Sequence, residues 1–128
     1  VILGTGIDLL EIPRLARSLE RYGEHFVRKI FTEGEAAYCE ARARRVEHYA
    51  ARFAAKEAVM KALGTGVARG VGFRTVEVVR EAGRAPEVRL HRAAKARAGE
   101  LGVTRIHLSL THTDRTAAAW VVLEGEGA

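Results

Sequence analysis

Cysteine occurs once in this chain of 128 residues, at Cys39, and proline twice, with a single tryptophan and a single methionine. One thiol excludes an intrachain disulfide framework and a cysteine-built zinc site. No uninterrupted apolar run approaches the roughly 20 residues that cross a bilayer. The first residues have no basic leader of the kind a secretory signal carries. These absences lead to the expectation of a cytoplasmic protein with no membrane partner. Aromatic residues make up 6% of the chain. No array of them interleaves the basic residues and no nucleic-acid-binding module is recognisable, which argues against a nucleic-acid partner. Gly4-Thr5-Gly6 lacks the third glycine of a dinucleotide fingerprint. A Gly-x-Ser-x-Gly nucleophile elbow is missing as well.

Acidic charge is in deficit. Lys and Arg number 21 against 16 Asp and Glu, a net charge of +5 and a pI near 9.9, which implies an acidic partner without naming it. Hydrophobic content of 48% suffices for a core, and the length fits one domain over residues 1–128. Arg14, Arg17, Arg21 and Arg28 step by three, four and seven. They share one stripe if the helix is continuous, and Gly23 is the point at which it can break. Leu15, Leu19, Tyr22 and Phe26 form the apolar side. That stripe is either a solvated helix face or a docking surface for an acidic partner.

The remaining elements follow from local signals. Val1 to Leu10 alternates as a strand, with Leu3, Thr5, Ile7 and Leu9 on one face and Gly4, Gly6 and Asp8 on the other. The glycine face admits another backbone or a ligand, which would leave Asp8 in a cleft. Pro13 suits the first turn of a helix. Thr32-Glu33-Gly34-Glu35 is a capping-box signature ahead of a short helix. Thr75 to Arg80 and Glu87 to Leu90 read as strands around the turn at Gly83–Pro86. Arg92 to Leu101 reads as a helix stopped by Gly102. Two strand-like runs flank the polar turn near Asp114 and make a hairpin. The sum is α+β, with a mainly antiparallel sheet and several helices.

Three segments carry chemistry. In Arg52-Phe53-Ala54-Ala55-Lys56-Glu57-Ala58-Val59-Met60-Lys61, Glu57 interrupts the apolar stripe Val46, Tyr49, Phe53, Met60. A carboxylate there needs a partner or a metal. Gly64-Thr65-Gly66 then ends the helix, so acid, base and free backbone amides converge, which suits a metal-bound phosphate. Glu57 and Lys61 also fit an ordinary i,i+4 surface pair. Asp8 is the second acid, and it also fits a local cap. In the hairpin, Ser109 and His112 can donate to phosphate oxygens. In a flat strand they face opposite sides, so a shared site requires a bulge or a strand end between them.

Taken in order, Gly6-Ile7-Asp8, then Arg52 to Ala58 with Lys61 and Gly64, then Ser109-Leu110-Thr111-His112 before Ala117-Ala118-Ala119, resemble the small class of 4′-phosphopantetheinyl transferases, the holo-acyl-carrier-protein synthases. The resemblance implies transfer of phosphopantetheine from coenzyme A to a serine of apo acyl carrier protein, with Mg²⁺ (or Mn²⁺) held by Asp8 and Glu57. Lys61 would stabilise the phosphate or the leaving group. Arg52, Lys56, Lys61, Gly64, Ser109 and His112 would bind coenzyme A. Arg14, Arg17, Arg21 and Arg28 would bind the carrier protein. A homotrimer with active sites between subunits is implied too. Gly83-Arg84-Ala85-Pro86 departs from the family's shorter Gly-Lys-Pro turn by one residue, so no substrate contact is carried over to it. The alternative is a basic nucleic-acid-binding or structural domain without catalysis.

Overall fold

A computed structural model of the chain describes residues 1–127. The elements run β1 (Ile2–Glu11), α1 (Ile12–Tyr22), α2 (Glu24–Ile30), α3 (Glu33–Glu40), α4 (Arg45–Ala62), a short 3-10 turn (Phe73–Thr75), β2 (Val76–Val79), β3 (Glu87–Leu90), α5 (Arg92–Leu101), β4 (Val103–His112) and β5 (Thr116–Gly125). This is the α+β order read from the sequence. β1, β5 and β4 form a three-stranded antiparallel sheet with β5 in the middle, while β2 and β3 form a separate antiparallel pair.

The long helix α4 lies on one face of the larger sheet, and small residues set how close it comes. Ala50, Ala54, Ala55 and Ala58 are fully buried on it. Gly4 and Gly6 of β1 face its backbone. A side chain at Gly6 would run into the carbonyl of Ala58, and one at Gly4 into that of Ala62. The glycine face of β1 is therefore filled by a helix backbone, one of the two occupants the sequence allowed. Asp8, next on that face, reaches the last turns of α4.

The opposite face of the sheet carries Thr5, Ile7 and Leu9, all exposed, with Trp120 paired across from Ile7. Leu3 departs from this set. A register shift between Ile2 and Gly4 interrupts the alternation, and Leu3 packs against the core instead.

α1 begins with Pro13 in its first turn and buries Ile12, Leu15 and Leu19. Gly23, at φ 54° and ψ −132°, ends it, and α2 starts on a new axis at Glu24. The basic stripe is therefore not continuous. Arg14, Arg17 and Arg21 share α1, whereas Arg28 lies on α2 beside Glu24, 3.5 Å away. The capping box of α3 forms as expected: Glu35 N–H donates to Thr32 Oγ1 at 3.2 Å, and Thr32 N–H donates to Glu35 Oε1 at 2.9 Å. α5 stops at Gly102, which takes the left-handed conformation at φ 80°. Cys39 is fully buried, and burial pushes its thiol up to about 12.

Candidate active site

The close seat of α4 on β1 brings Asp8, Glu57 and Lys61 together. Lys61 Nζ donates to Asp8 Oδ1 at 2.9 Å and to the Ile7 carbonyl at 3.1 Å. Glu57 lies one turn earlier on α4. With Asp8 it lines a cleft of about 300 Å³ whose other walls include Leu15, Phe26 and Phe53, with Arg14 and Ser18 at the α1 side. Burial pushes the Glu57 carboxyl above its ordinary value, and the negative charge of Asp8 pushes it further, against the opposing pull of Lys61. Lys61 is thus paired with Asp8, among the described residues Glu57 has no direct cationic partner, and Arg14 is the other cation on the cleft wall.

That donor set fits a hard divalent cation. Carboxylate oxygens from a strand and a helix suit Mg²⁺, which keeps several of its waters and needs few protein ligands. Among the described residues no group of three or more His, Cys, Asp and Glu converges on one point, so the protein share would be these two acids.

Lys56, expected among the coenzyme A ligands, is elsewhere. Its side chain has no exposed surface. Nζ lies 2.6 Å from Glu35 Oε1 and donates to the carbonyls of Phe73 and Val76. An ammonium has three N–H groups, and all three are taken inside the core. The physical reason is the phase of α4: one residue before Glu57, the side chain turns toward α3 and β2 rather than the cleft. Glu35 completes the knot by accepting from Val78 N–H at 2.8 Å.

Arg52 also turns inward and is 3% exposed. Its guanidinium lies 4.1 Å from the centre of the Tyr38 ring, over which Arg42 also lies at 3.5 Å. Among the described residues its Nε has no hydrogen-bond partner. His112 ends β4 near the start of α4, 3.7 Å from Glu47. Ser109 does not join it. No register shift separates the two, so Ser109 faces the outer side opposite Trp120, while His112 pairs with buried Ala117. Within one chain they cannot hold the same phosphate. Gly64 takes φ 77° just past α4, where Arg97 Nε donates to the Leu63 carbonyl at 3.0 Å. Arg14, Arg17 and Arg21 line a shallow concavity on α1 with Ser18, Glu20 and Tyr22, and Arg28 lines a different one.

Sequence reasoning missed Glu35, Glu47, Tyr38 and Arg42. Glu35 reads as a cap from its local sequence, but on α3 it and Cys39 are the two residues that face the core. Nothing local marks Glu47, whose partner His112 is brought to it by the sheet.

A model of the 4′-phosphopantetheinyl transferase superfamily matches residues 4–121. The holo-[acyl-carrier-protein] synthase of Koribacter versatilis is 50% identical over 124 residues, which are 97% of this chain and 99% of that protein. Crystal structures agree. The holo-[acyl-carrier-protein] synthase of Neisseria meningitidis has a TM-score of 0.89 at 34% identity, over 97% of this chain and 99% of that one. The enzyme of Bacillus anthracis, in complex with CoA (3′,5′-ADP), has a TM-score of 0.80 at 34% identity, over 98% of each chain. With its ordered motifs, its fold and its full-length relatives in agreement, this chain belongs to the 4′-phosphopantetheinyl transferase superfamily, in the branch of the holo-[acyl-carrier-protein] synthases.

Proposed function

We propose that this chain transfers the 4′-phosphopantetheine group of coenzyme A to a serine of an apo acyl carrier protein, releasing adenosine 3′,5′-bisphosphate. The observation that carries the reading is that Asp8 and Glu57 line one cleft, with Lys61 bonded to Asp8. The serine hydroxyl attacks the β-phosphorus of the pyrophosphate, and charge grows on the bridging and nonbridging oxygens. Asp8 and Glu57 would hold Mg²⁺ (Mn²⁺ as the alternative), which would neutralise that charge. Lys61, half-exposed, extends its ammonium to the phosphate or the leaving group. His112 and the Gly64 turn bind coenzyme A, while Arg52, 3% exposed and packed on the Tyr38 ring, would have to leave its buried position to join them. The α1 arginines Arg14, Arg17 and Arg21 dock the acidic carrier protein beside the cleft, which Arg14 also lines.

The active unit is a homotrimer with sites between subunits. Ile7, Leu9 and Trp120, at 64%, 70% and 56% exposure, make an apolar patch on the outer sheet face, of the kind that marks a protein contact. Arg52 lies in the middle of α4, and His112 meets Glu47 in its first turn, about 15 Å along the axis from Glu57. A contribution of Ser109 requires a neighbouring copy. No helix is long and apolar enough to cross a membrane among the described residues. A coenzyme A-dependent reaction supports a cytoplasmic location as part of this reading.

Mass spectrometry of an apo carrier protein incubated with this chain, coenzyme A and Mg²⁺ tests the reading. A gain of one phosphopantetheine is expected. An unmodified carrier, with every component intact, would return the chain to a basic domain without catalysis.

A further inference from the structure

The loop that follows α4 has a glycine at each end and one helix behind it. Gly64 and Gly70 both take the left-handed conformation, at φ 77° and 81°. α5 bears on each of them. A side chain at Gly70 would press on the Cβ of Ala93, and Arg97 Nη2 lies 3.7 Å from where a Cβ on Gly64 would stand. Ala93 and Arg97 are four residues apart, so they share one face of α5. Between the glycines the loop is open. Among the described residues no atom lies within 4 Å of the corresponding position on Gly66, and Val67 is exposed.

Of these two contacts, that of Arg97 is polar. Leu63 is the C-cap of α4 and is fully buried. Its carbonyl is one of those that a helix end leaves without an intrahelical donor. Arg97 Nε donates to it at 3.0 Å from 34 residues away. The carbonyl end of a helix carries partial negative charge, so the guanidinium is held there by charge as well as by the bond. Nη1 reaches Glu100 Oε2 at 3.2 Å, but that carboxylate is 58% exposed, and water competes for it. Lys61 does not depend on this cap, because Asp8 and the Ile7 carbonyl tie it down separately. Arg97 therefore governs the loop rather than the cleft.

We propose that Arg97 is a positioning residue for coenzyme A: its bond to the Leu63 carbonyl holds loop 64–70 in the shape that receives the ligand. This rests on the proposed function, in which the Gly64 turn meets coenzyme A. Arg97 itself touches no substrate. A loop released at its Gly64 end has permissive glycines at both ends and many shapes, and only the fraction in the receiving shape binds.

Calorimetric titration of coenzyme A onto the folded protein tests this in the wild type, Arg97→Ala and Arg97→Lys, together with the kinetics of transfer to a carrier protein. Circular dichroism checks each fold. Arg97→Ala should bind coenzyme A about three- to tenfold more weakly. Its kcat and its KM for carrier protein should stay near the wild type, because the cleft and α1 are untouched. Arg97→Lys keeps a cationic donor for the Leu63 carbonyl and should recover most of the affinity. A folded Arg97→Ala with wild-type affinity overturns the inference. So does a loss spread equally over coenzyme A affinity, kcat and carrier KM, which marks a general loosening of the fold. Arg97→Lys as weak as Arg97→Ala overturns it too, since a direct contact through Nη2 would then be the cause. Wild-type protein that binds no coenzyme A overturns the functional reading instead.

Discussion

Lys56 and Lys61 stand on the same helix, and each meets a carboxylate, but their surroundings assign them opposite tasks. Lys56 and Glu35 have no exposed side-chain surface, and every donor of the ammonium has a protein acceptor. Lys61 is about half exposed, and it leaves one N–H free beyond Asp8 and the Ile7 carbonyl. A dry pair is held by the cost of separating it: removal of either member strands a charge in the core. The Lys61 pair is half wet: water and salt reach its ammonium, while Asp8 is largely covered, so the lysine can exchange its partner. Residue type alone therefore does not separate scaffold from chemistry here. Burial of the lysine does.

The largest effect should come from breaking the buried pair. Lys56→Ala or Glu35→Ala should cost about 3–5 kcal/mol of stability, read by urea unfolding. A loss below about 1 kcal/mol would mean that the pair is not what anchors α4, and the contrast with Lys61 would fail. Second come the cleft acids. Asp8→Ala or Glu57→Ala should reduce phosphopantetheine transfer by at least about a hundredfold, about 2.7 kcal/mol in the barrier, with the unfolding midpoint held near that of the wild type. Near-normal turnover in either folded variant would remove that residue from the metal site.

Arg52 sharpens the comparison, because it is buried like Lys56 but keeps an unpaired Nε. If that surplus serves the ribose 3′-phosphate, Arg52→Ala should weaken coenzyme A about tenfold and barely affect the analogue lacking that phosphate. Equal weakening of both ligands would make Arg52 scaffold. The smallest effect belongs to the fully wet charges. Arg14→Glu with Arg21→Glu should raise KM for the carrier protein several-fold and leave KM for coenzyme A nearly unchanged. Added salt should slow the wild type more than the variant, since exposed charges mainly steer association. An unchanged carrier KM at low salt would return α1 to a solvated face.

Much of the fold was legible because its signals are local. Pro13 starts α1, Thr32 and Glu35 cap α3, Gly102 stops α5, and the Thr113–Arg115 segment turns the last hairpin. Asp8, Glu57 and Lys61 were legible as an ordered set of motifs. The surroundings of Lys56 were not, because its partners Glu35, Phe73 and Val76 are distant in sequence and helical phase does not name what packs on each side. Arg28 hung on whether Gly23 bends the chain, a choice that a permissive residue leaves open. The separation of Ser109 from His112 was visible in strand parity, and the structure adds no bulge to undo it.

Among the described residues, the strand that carries Asp8 is hydrogen-bonded in its sheet to β5 alone, with Asp8 paired to Ala119. During synthesis β1 emerges before every helix, and its only strand partner emerges after all of them. Local helices can form meanwhile, but the sheet on which the acid stands requires the ends of the fold to meet. A nascent chain lacking β5 can have a helical α4 with Glu57 in place and still hold Asp8 on an unpaired segment. The site's timetable is therefore set by its last strand, and a carrier protein met during translation finds no finished enzyme to modify it.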